Sequence, residues 1–518
     1  MNEELVISQL FNRIKSKIKS HWLIGFMSSM LIGFFTYGYL MSNHFLTHDS
    51  LWNMYSDQNM ITLGRQFLQY ACGISSYYDL PWLNGILAIF FLSLTSVVVI
   101  EYFDIKSTIN SLLVAGIIVT FPSVISTFGY TFTVDGYMLA MLITTISCFL
   151  ASKKKWGFLP GILLLGISLG IYQSYLSFAI ILCILRLLLD ILDKVSIKDI
   201  LIKGLRFIGM GIGSYMFYII SLNLMLKIQN RELSAYQGID TIQGIHFNEL
   251  VIGVKTAFWN FINFARWSNV LTTTIFMKFS CITLFLGGII LFIYLFVSNK
   301  CYKNGWNTII VLGCIMIIPI GSTIISVISP GTYYHLIMRG CWCLFFVFII
   351  GLSERIRLSD LKAIHYFQTV SVIVVSIFSI ILIFEFSKMA NIVGYNQNER
   401  YEKSYSLCIR IAEKLEQTPG YEHGMPIAIL GGLPDFPSTD ITKEDLVGYI
   451  GVSGDYVLGS AEHCAEFMSH YMNISLNVVD MDTQLKIIET EEFKNCPKFP
   501  DAGSIIKIND VWIVKLNG

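Results

Sequence analysis

An acid and an arginine stand just beyond the first hydrophobic stretch of this chain. Asp49 lies in Leu46-Thr47-His48-Asp49-Ser50-Leu51-Trp52, and Gly64-Arg65 follows, about four helical turns later. In a chain that is apolar almost throughout, this pair at a lipid-water boundary suits chemistry on a lipid-borne phosphate. A positioned carboxylate can take the proton of an attacking hydroxyl, and fixed cations hold the charge that develops on a phosphate leaving group. Asp135, in Tyr130-Thr131-Phe132-Thr133-Val134-Asp135-Gly136-Tyr137, is the second candidate base. Arg339 closes Pro330-Gly331-Thr332-Tyr333-Tyr334-His335-Leu336-Ile337-Met338-Arg339 and opens a span, either as a snorkelling anchor or as a phosphate clamp. Arg266 is a further cation for a phosphate. The structural alternative for Asp49-Ser50 is a cap on the helix that follows.

The elements that must position these residues are membrane helices. Hydrophobic residues make up 54% of the chain and charged ones 14%, where soluble domains carry about a quarter charged; mean hydropathy is +0.61. The formal net charge of +0 says nothing about a nucleic-acid or acidic partner, so the distribution of charge along the chain must be read instead, and no nucleic-acid partner is expected. Arg13, Lys15, Lys17 and Lys19 lead into the first span with no small-residue cleavage site, which predicts a retained helix. Of the 11 cysteines, Cys148, Cys183, Cys281 and Cys314 lie inside apolar runs, where a thiol acts as a small hydrophobe, and no metal-ligand spacing is present.

Apolar runs predict eleven transmembrane helices near 22–42, 81–100, 109–126, 136–151, 157–171, 175–191, 207–226, 275–298, 308–328, 340–352 and 364–386. With the basic N-terminus cytoplasmic, the inside loops hold Lys106, Lys153-Lys154-Lys155, Arg186, Lys194, Lys198, Lys203, Arg206, Lys300, Lys303, Arg355, Arg357 and Lys362. The outside loops hold fewer: Arg65, Lys227, Arg231, Lys255, Arg266 and Arg339. That asymmetry fits the positive-inside rule, and an odd count of spans places the C-terminal segment outside. Lys153–Lys155 and Arg186 both belong inside, so the chain must turn outside at Tyr172-Gln173-Ser174-Tyr175. Such a turn either borders a wet cavity, as backbone leaving a helix near membrane depth requires, or is a polar hairpin tip.

The predicted architecture is an all-α polytopic bundle over residues 1–386, followed by a small α/β extracytoplasmic domain over 387–518. Outer loop 43–80 has Trp52, Tyr55, Met60, Leu63 and Phe67 near helical spacing, for a helix in the headgroup plane or packed on the bundle. Loop 227–274 holds Phe258, Trp259, Phe261, Phe264 and Trp267 beside Lys255 and Arg266, the pattern of an interfacial helix or an aromatic anchor. In the terminal domain a helix is predicted over Glu399–Gln417, a buried strand over Pro426–Leu430, a second helix near 461–472 and a strand near 474–479. A hairpin, Ser504–Ile508 and Val511–Leu516 across Asn509-Asp510, closes it. An oxidising compartment would permit a Cys464–Cys496 bridge, with Cys408 as a competing partner.

Four segments in this order resemble the Gtr class II bacterial glucosyltransferases, the serotype-converting O-antigen enzymes of C-type glycosyltransferase architecture. They are His48-Asp49-Ser50 to Gly64-Arg65; Tyr130 to Asp135-Gly136-Tyr137; Gly170-Ile171-Tyr172-Gln173-Ser174-Tyr175; and Pro500-Asp501-Ala502-Gly503-Ser504-Ile505 to Val511-Trp512-Ile513-Val514-Lys515-Leu516. His48 stands where C-type enzymes commonly have a second adjacent acid, which weakens any role needing paired carboxylates or a metal. The resemblance implies inverting transfer of a hexose, glucose first, from a polyprenyl-phosphate carrier to a lipid-linked surface polysaccharide, at the outer face of the bacterial inner membrane. It requires no cofactor and leaves a divalent metal open. Asp49 is then the general base with Asp135 second; Arg65, Arg339 and Arg266 hold the donor phosphate; His48, Tyr172, Gln173 and His335 hold sugar hydroxyls. The neighbouring readings are an O-antigen polymerase or other envelope-glycan enzyme, and, from another class, a lipid-linked sugar transporter.

Overall fold

The structure is a computed structural model describing residues 16–43, 47–234, 247–267, 269–329, 333–434 and 456–517. Arg13, Lys15 and Pro330-Gly331-Thr332 fall outside them. The chain divides into two units: residues 1–42 with 57–391, and residues 43–56 with 392–518.

The first unit is helical. Every predicted apolar run is a helix: α1 (Ser20–Ser42), α4 (Pro81–Tyr102), α5 (Thr108–Thr120) with α6 (Pro122–Phe128), α7 (Thr131–Lys153), α8 (Phe158–Ile171), α9 (Tyr175–Leu192), α10 (Ile197–Gln229), α12 (Ile275–Ser298), α13 (Gly305–Ser322), α14 (Cys343–Ser353) and α15 (Lys362–Glu416). Among the described residues nine helices are long and apolar enough to cross a membrane, α14 counting with the turns from Leu336 that precede it. Two of the eleven expected spans differ. The run at 109–126 is bent by 45° between α5 and α6, because Pro122 disfavours helical backbone at Phe121, which is extended; taken as one span, the pair makes ten. The run at 157–171 is only the 14-residue α8, short of the roughly 20 residues a crossing needs.

The segment from Asp57 to Leu80 is not one amphipathic helix. It holds a short 3-10 turn, Ile61–Leu63, and α3 (Leu68–Cys72). Left-handed backbone at Gln58 and Gly64 interrupts any continuous helix. Helix α11 (Phe247–Trp267) is amphipathic as expected: Ala257 and Phe264 are buried, while Val251, Trp259 and Ile262 are exposed.

In the second unit, α16 (His463–Met472), α17 (Met481–Ile488) and α18 (Glu491–Asn495) join a four-stranded sheet ordered β2-β1-β4-β3. The strands are β1 (Pro426–Leu430), β2 (Asn477–Val478), β3 (Ile505–Ile508) and β4 (Val511–Lys515), with β1 parallel to both neighbours. The hairpin turns at Asn509 and Asp510, both with positive φ, as a two-residue turn that follows strand twist requires. Alternate residues of β1 face opposite ways: Ile427 and Ile429 pack with Leu407, Ile411 and Phe467, and Ala428 and Leu430 with Ile487 and Phe493. Leu51 and Met54 lie in the first of these cores, which is why residues 43–56 belong to this unit. Cys464 and Cys496 are both free; the neighbour of Cys464 is Cys408.

Candidate active site

Arg65 is placed by a loop that only glycine can lead. Gly64 has φ +70°, and a Cβ there would meet the Gln173 amide at 2.7 Å and the Tyr218 hydroxyl as well. Its carbonyl accepts from Gln173 Nε2 at 2.9 Å and from Tyr218 Oη at 3.0 Å. Gln173 also donates to Leu63 O at 2.9 Å, so its amide N–H groups hold this loop. The turn predicted at 172–175 therefore anchors the arginine loop: Phe67 N donates to Gly170 O at 2.8 Å, and Gln66 reaches α10 at Tyr218 O and Ser221.

The Arg65 guanidinium donates to Tyr137 Oη at 2.8 Å and lies 5.9 and 5.3 Å from the ring centres of Tyr137 and Tyr172. Those rings stack on each other at 4.5 Å, and Tyr175 meets Tyr172 edge-on at 5.7 Å. A planar cation held at its rim by aromatic faces keeps its orientation while its N–H fork stays suited to an oxyanion.

Two residues before Tyr137, Asp135 is 1% exposed in the first turns of α7. Neither carboxylate oxygen accepts a hydrogen bond of normal geometry among the described residues. The Ser75 hydroxyl beside it is donated to Cys72 O at 2.9 Å. A carboxyl buried at a membrane-helix end without a cation is costly, and such groups mark functional sites.

Arg339 sits in a second aromatic seat, 4.5 Å from the Phe264 ring and 4.8 Å from that of Tyr334. It donates to Tyr334 O at 3.0 Å and Asn260 O at 3.4 Å, both neutral. The Tyr334 hydroxyl meets Ser177 and Ser322 O, tying this seat to α9 and α13. His335 starts the turns ahead of α14 and packs edge-on against Tyr333 at 4.7 Å. Arg266 is exposed in the last turn of α11.

Asp49 belongs to the second unit. It is the second residue of α2 (His48–Asn53), whose cap is Thr47, and its side chain is 48% exposed with Oδ1 3.5 Å from His48 Nε2. Among the described residues no group of three His, Cys, Asp or Glu side chains is placed to hold a metal ion.

The other end of the same helices is filled with matched charge. Arg186 donates to Asp190 at 2.8 Å and Asp104 at 2.6 Å; Lys153 reaches Asp104 at 2.7 Å; Lys203 pairs with Asp190; Arg355 grips Asp193 through two bonds of 2.8 Å. Burial pushes the Asp104 carboxyl up, but Lys153 and Arg186 outweigh it and hold it below its ordinary range. Glu354 is likewise lowered: burial opposes ionisation, and hydrogen bonds from Asn110 and the Lys106 and Ser107 backbone overcome it. Asp135 and Lys153 are about 27 Å apart along α7, near the thickness of a hydrocarbon core.

Sequence reasoning left Tyr137, Tyr218 and Tyr334 without roles and took Phe264 only as an interfacial aromatic. Tyr137 had a signal, two positions after Asp135 in the same predicted outer loop; Tyr218 sits mid-helix in an apolar run and had none.

Long apolar helices ending in arginines seated among aromatic rings define a membrane protein suited to a polar, anionic ligand. Residues 38–348, more than half of the chain, match the family model Glucosyl transferase GtrII, and the chain belongs to that family. It is a membrane-associated glycosyltransferase, and it acts on a sugar donor and an acceptor. The match includes Asp49, Arg65, Asp135, Tyr172, Gln173, Arg266, His335 and Arg339. No curated protein and no solved structure matches.

Proposed function

We propose that this glycosyltransferase moves glucose from a polyprenyl-phosphate carrier onto O-antigen or another lipid-linked surface polysaccharide, at the outer face of the bacterial inner membrane. The observation that carries the reading is the seating of Arg65 at the rim of the stacked rings of Tyr137 and Tyr172. It lies at the helix ends opposite the cluster of Lys153, Arg186, Lys203 and Arg355. Basic residues concentrate on the cytoplasmic side, so the Arg65 end faces outward, where the carrier phosphate meets the headgroup layer.

Arg65 and Arg339 hold the phosphate and stabilise its charge as the glycosidic bond breaks, with Arg266 a further cation. Tyr172 and His335 contact the sugar; Gln173 positions the Arg65 loop, and His48 sits beside the base. The acceptor hydroxyl attacks the anomeric carbon from the face opposite the phosphate, inverting it, and gives its proton to Asp49, with Asp135 as second candidate. The chain's C-terminal unit is proposed to be extracytoplasmic.

The test is the sugar composition of surface polysaccharide in cells with and without the gene, then with Asp49→Asn and Arg65→Ala. The hexose is expected to vanish with the gene and to fall about 100-fold or more with either variant. Normal decoration by a correctly inserted Asp49→Asn protein removes Asp49 as base; no difference between the first two strains removes the transferase reading.

A further inference from the structure

Two exposed aromatic side chains of the second unit are backed by imidazoles on one face of α16. Trp52 is 62% exposed and stacks on His463, with ring centres 5.3 Å apart and planes at 23°. Tyr55 is 67% exposed and packs on His470 at 5.4 Å. His463 and His470 are seven residues apart, so the two platforms follow each other about 10 Å along the helix. The arrangement is held in place: His470 Nε2 bonds Leu51 O at 3.0 Å, His463 Nδ1 bonds the Ser460 hydroxyl at 2.8 Å, and Gly459 backs both His48 and His463 closely enough that a Cβ would touch them. The groups acting electrostatically on His463 are His48, Glu466, Glu462 and Asp49. His48 Nδ1 and Glu466 Oε2 are buried beneath this face and, among the described residues, make no hydrogen bond.

We propose that Trp52 and Tyr55, with His48, His463 and Glu466, form a binding platform for the acceptor glycan. The proposal rests on the transferase reading. Flat aromatic faces take the C–H side of a sugar ring, amphipathic rings tolerate its wet edge, and imidazole and carboxylate both match hydroxyls. The acidic surroundings select the occupant: they repel a carrier phosphate, and an anionic membrane surface attracts Lys and Arg, not Glu and Asp. A neutral, hydroxyl-rich chain is what remains.

The experiment uses the full-length protein in nanodiscs and, as probe, lipid-free oligosaccharide released from the surface polysaccharide of the producing strain with this gene deleted. Binding is read by saturation-transfer NMR, and the acceptor KM is measured separately from donor hydrolysis without acceptor. Trp52→Ala and Tyr55→Ala are expected to weaken binding and raise KM about tenfold or more, Trp52→Phe to retain part of the binding, and donor hydrolysis to stay unchanged. Wild-type binding and KM in both alanine variants overturn the platform, as does bromolipid quenching assigned to Trp52 by comparison with Trp52→Phe. A wild type that binds the oligosaccharide through Trp52 yet transfers no hexose keeps the platform and removes the transferase reading.

Discussion

The two ends of the helical unit handle charge in opposite ways. At one end Asp104, Asp190, Asp193 and Glu354 each meet cations or N–H donors, and Arg186, Lys153, Lys203 and Arg355 are committed to them. At the other end Arg65 and Arg339 rest on aromatic rings, and Asp135 is buried without a normal hydrogen bond. The first arrangement joins α4, α7, α9 and α10 through matched charges. The second leaves the Asp135 carboxylate buried without a hydrogen bond of normal geometry among the described residues, at a cost in stability that a purely structural site has no reason to carry.

The comparison breaks most sharply at the two arginines. Arg65→Ala is expected to lower transfer about 100- to 1000-fold while leaving the amount of folded protein unchanged. Arg186→Ala leaves Asp190 to Lys203 alone and Asp104 to Lys153 alone and is expected to cost about 1–3 kcal/mol, read as lost thermal stability in detergent. If Arg65→Ala unfolds the protein, the Arg65 end is structural after all. The acids give the next contrast: Asp135→Asn should leave the melting temperature unchanged or raised, because it removes an uncompensated charge, whereas Asp190→Asn should lower it by the mechanism that acts on Arg186. Gly64→Ala is expected to cost about 1–2 kcal/mol from its left-handed backbone alone and to reduce transfer by displacing Arg65.

The smallest effect is on pH. Asp104 and Glu354 are held below their ordinary values in the folded protein, so each is protonated more readily when unfolded. Their stabilisation is complete above the unfolded values near pH 4 and is lost as the pH falls through the lowered ones. Thermal stability should therefore be flat above about pH 5 and fall below about pH 4. Asp104→Asn should flatten that acid limb.

Most of the helical unit was legible because lipid demands long apolar runs, and each predicted run is a helix. What the runs could not show was where a helix fails. Pro122 bends one span through its restriction on Phe121, which hydropathy does not weigh, and α8 is only 14 residues long. The buried strand Pro426–Leu430 and the Asn509-Asp510 turn were readable from local chemistry, since four apolar residues and a two-residue turn declare themselves. Helices α17 and α18, short and polar, did not. For the site, charged residues in outer segments were legible as types, but not the rings that seat them: Tyr334 and Phe264 meet Arg339 only through the fold. Asp49 was readable as a carboxylate beyond the first span; that its segment packs into the second core through Leu51 and Met54 was not, because two apolar residues in a loop carry no address.

The central claim is that the arginine and tyrosine end of the helical unit binds a lipid-phosphate sugar donor. The most direct measurement is transfer of labelled glucose from polyprenyl-phosphate glucose by the purified protein in nanodiscs, for wild type and Arg65→Ala. The account predicts transfer by wild type and a loss of about 100-fold or more in the variant, with both proteins equally folded. Undiminished transfer by Arg65→Ala, or transfer from a soluble nucleotide sugar and none from the lipid phosphate, would contradict it.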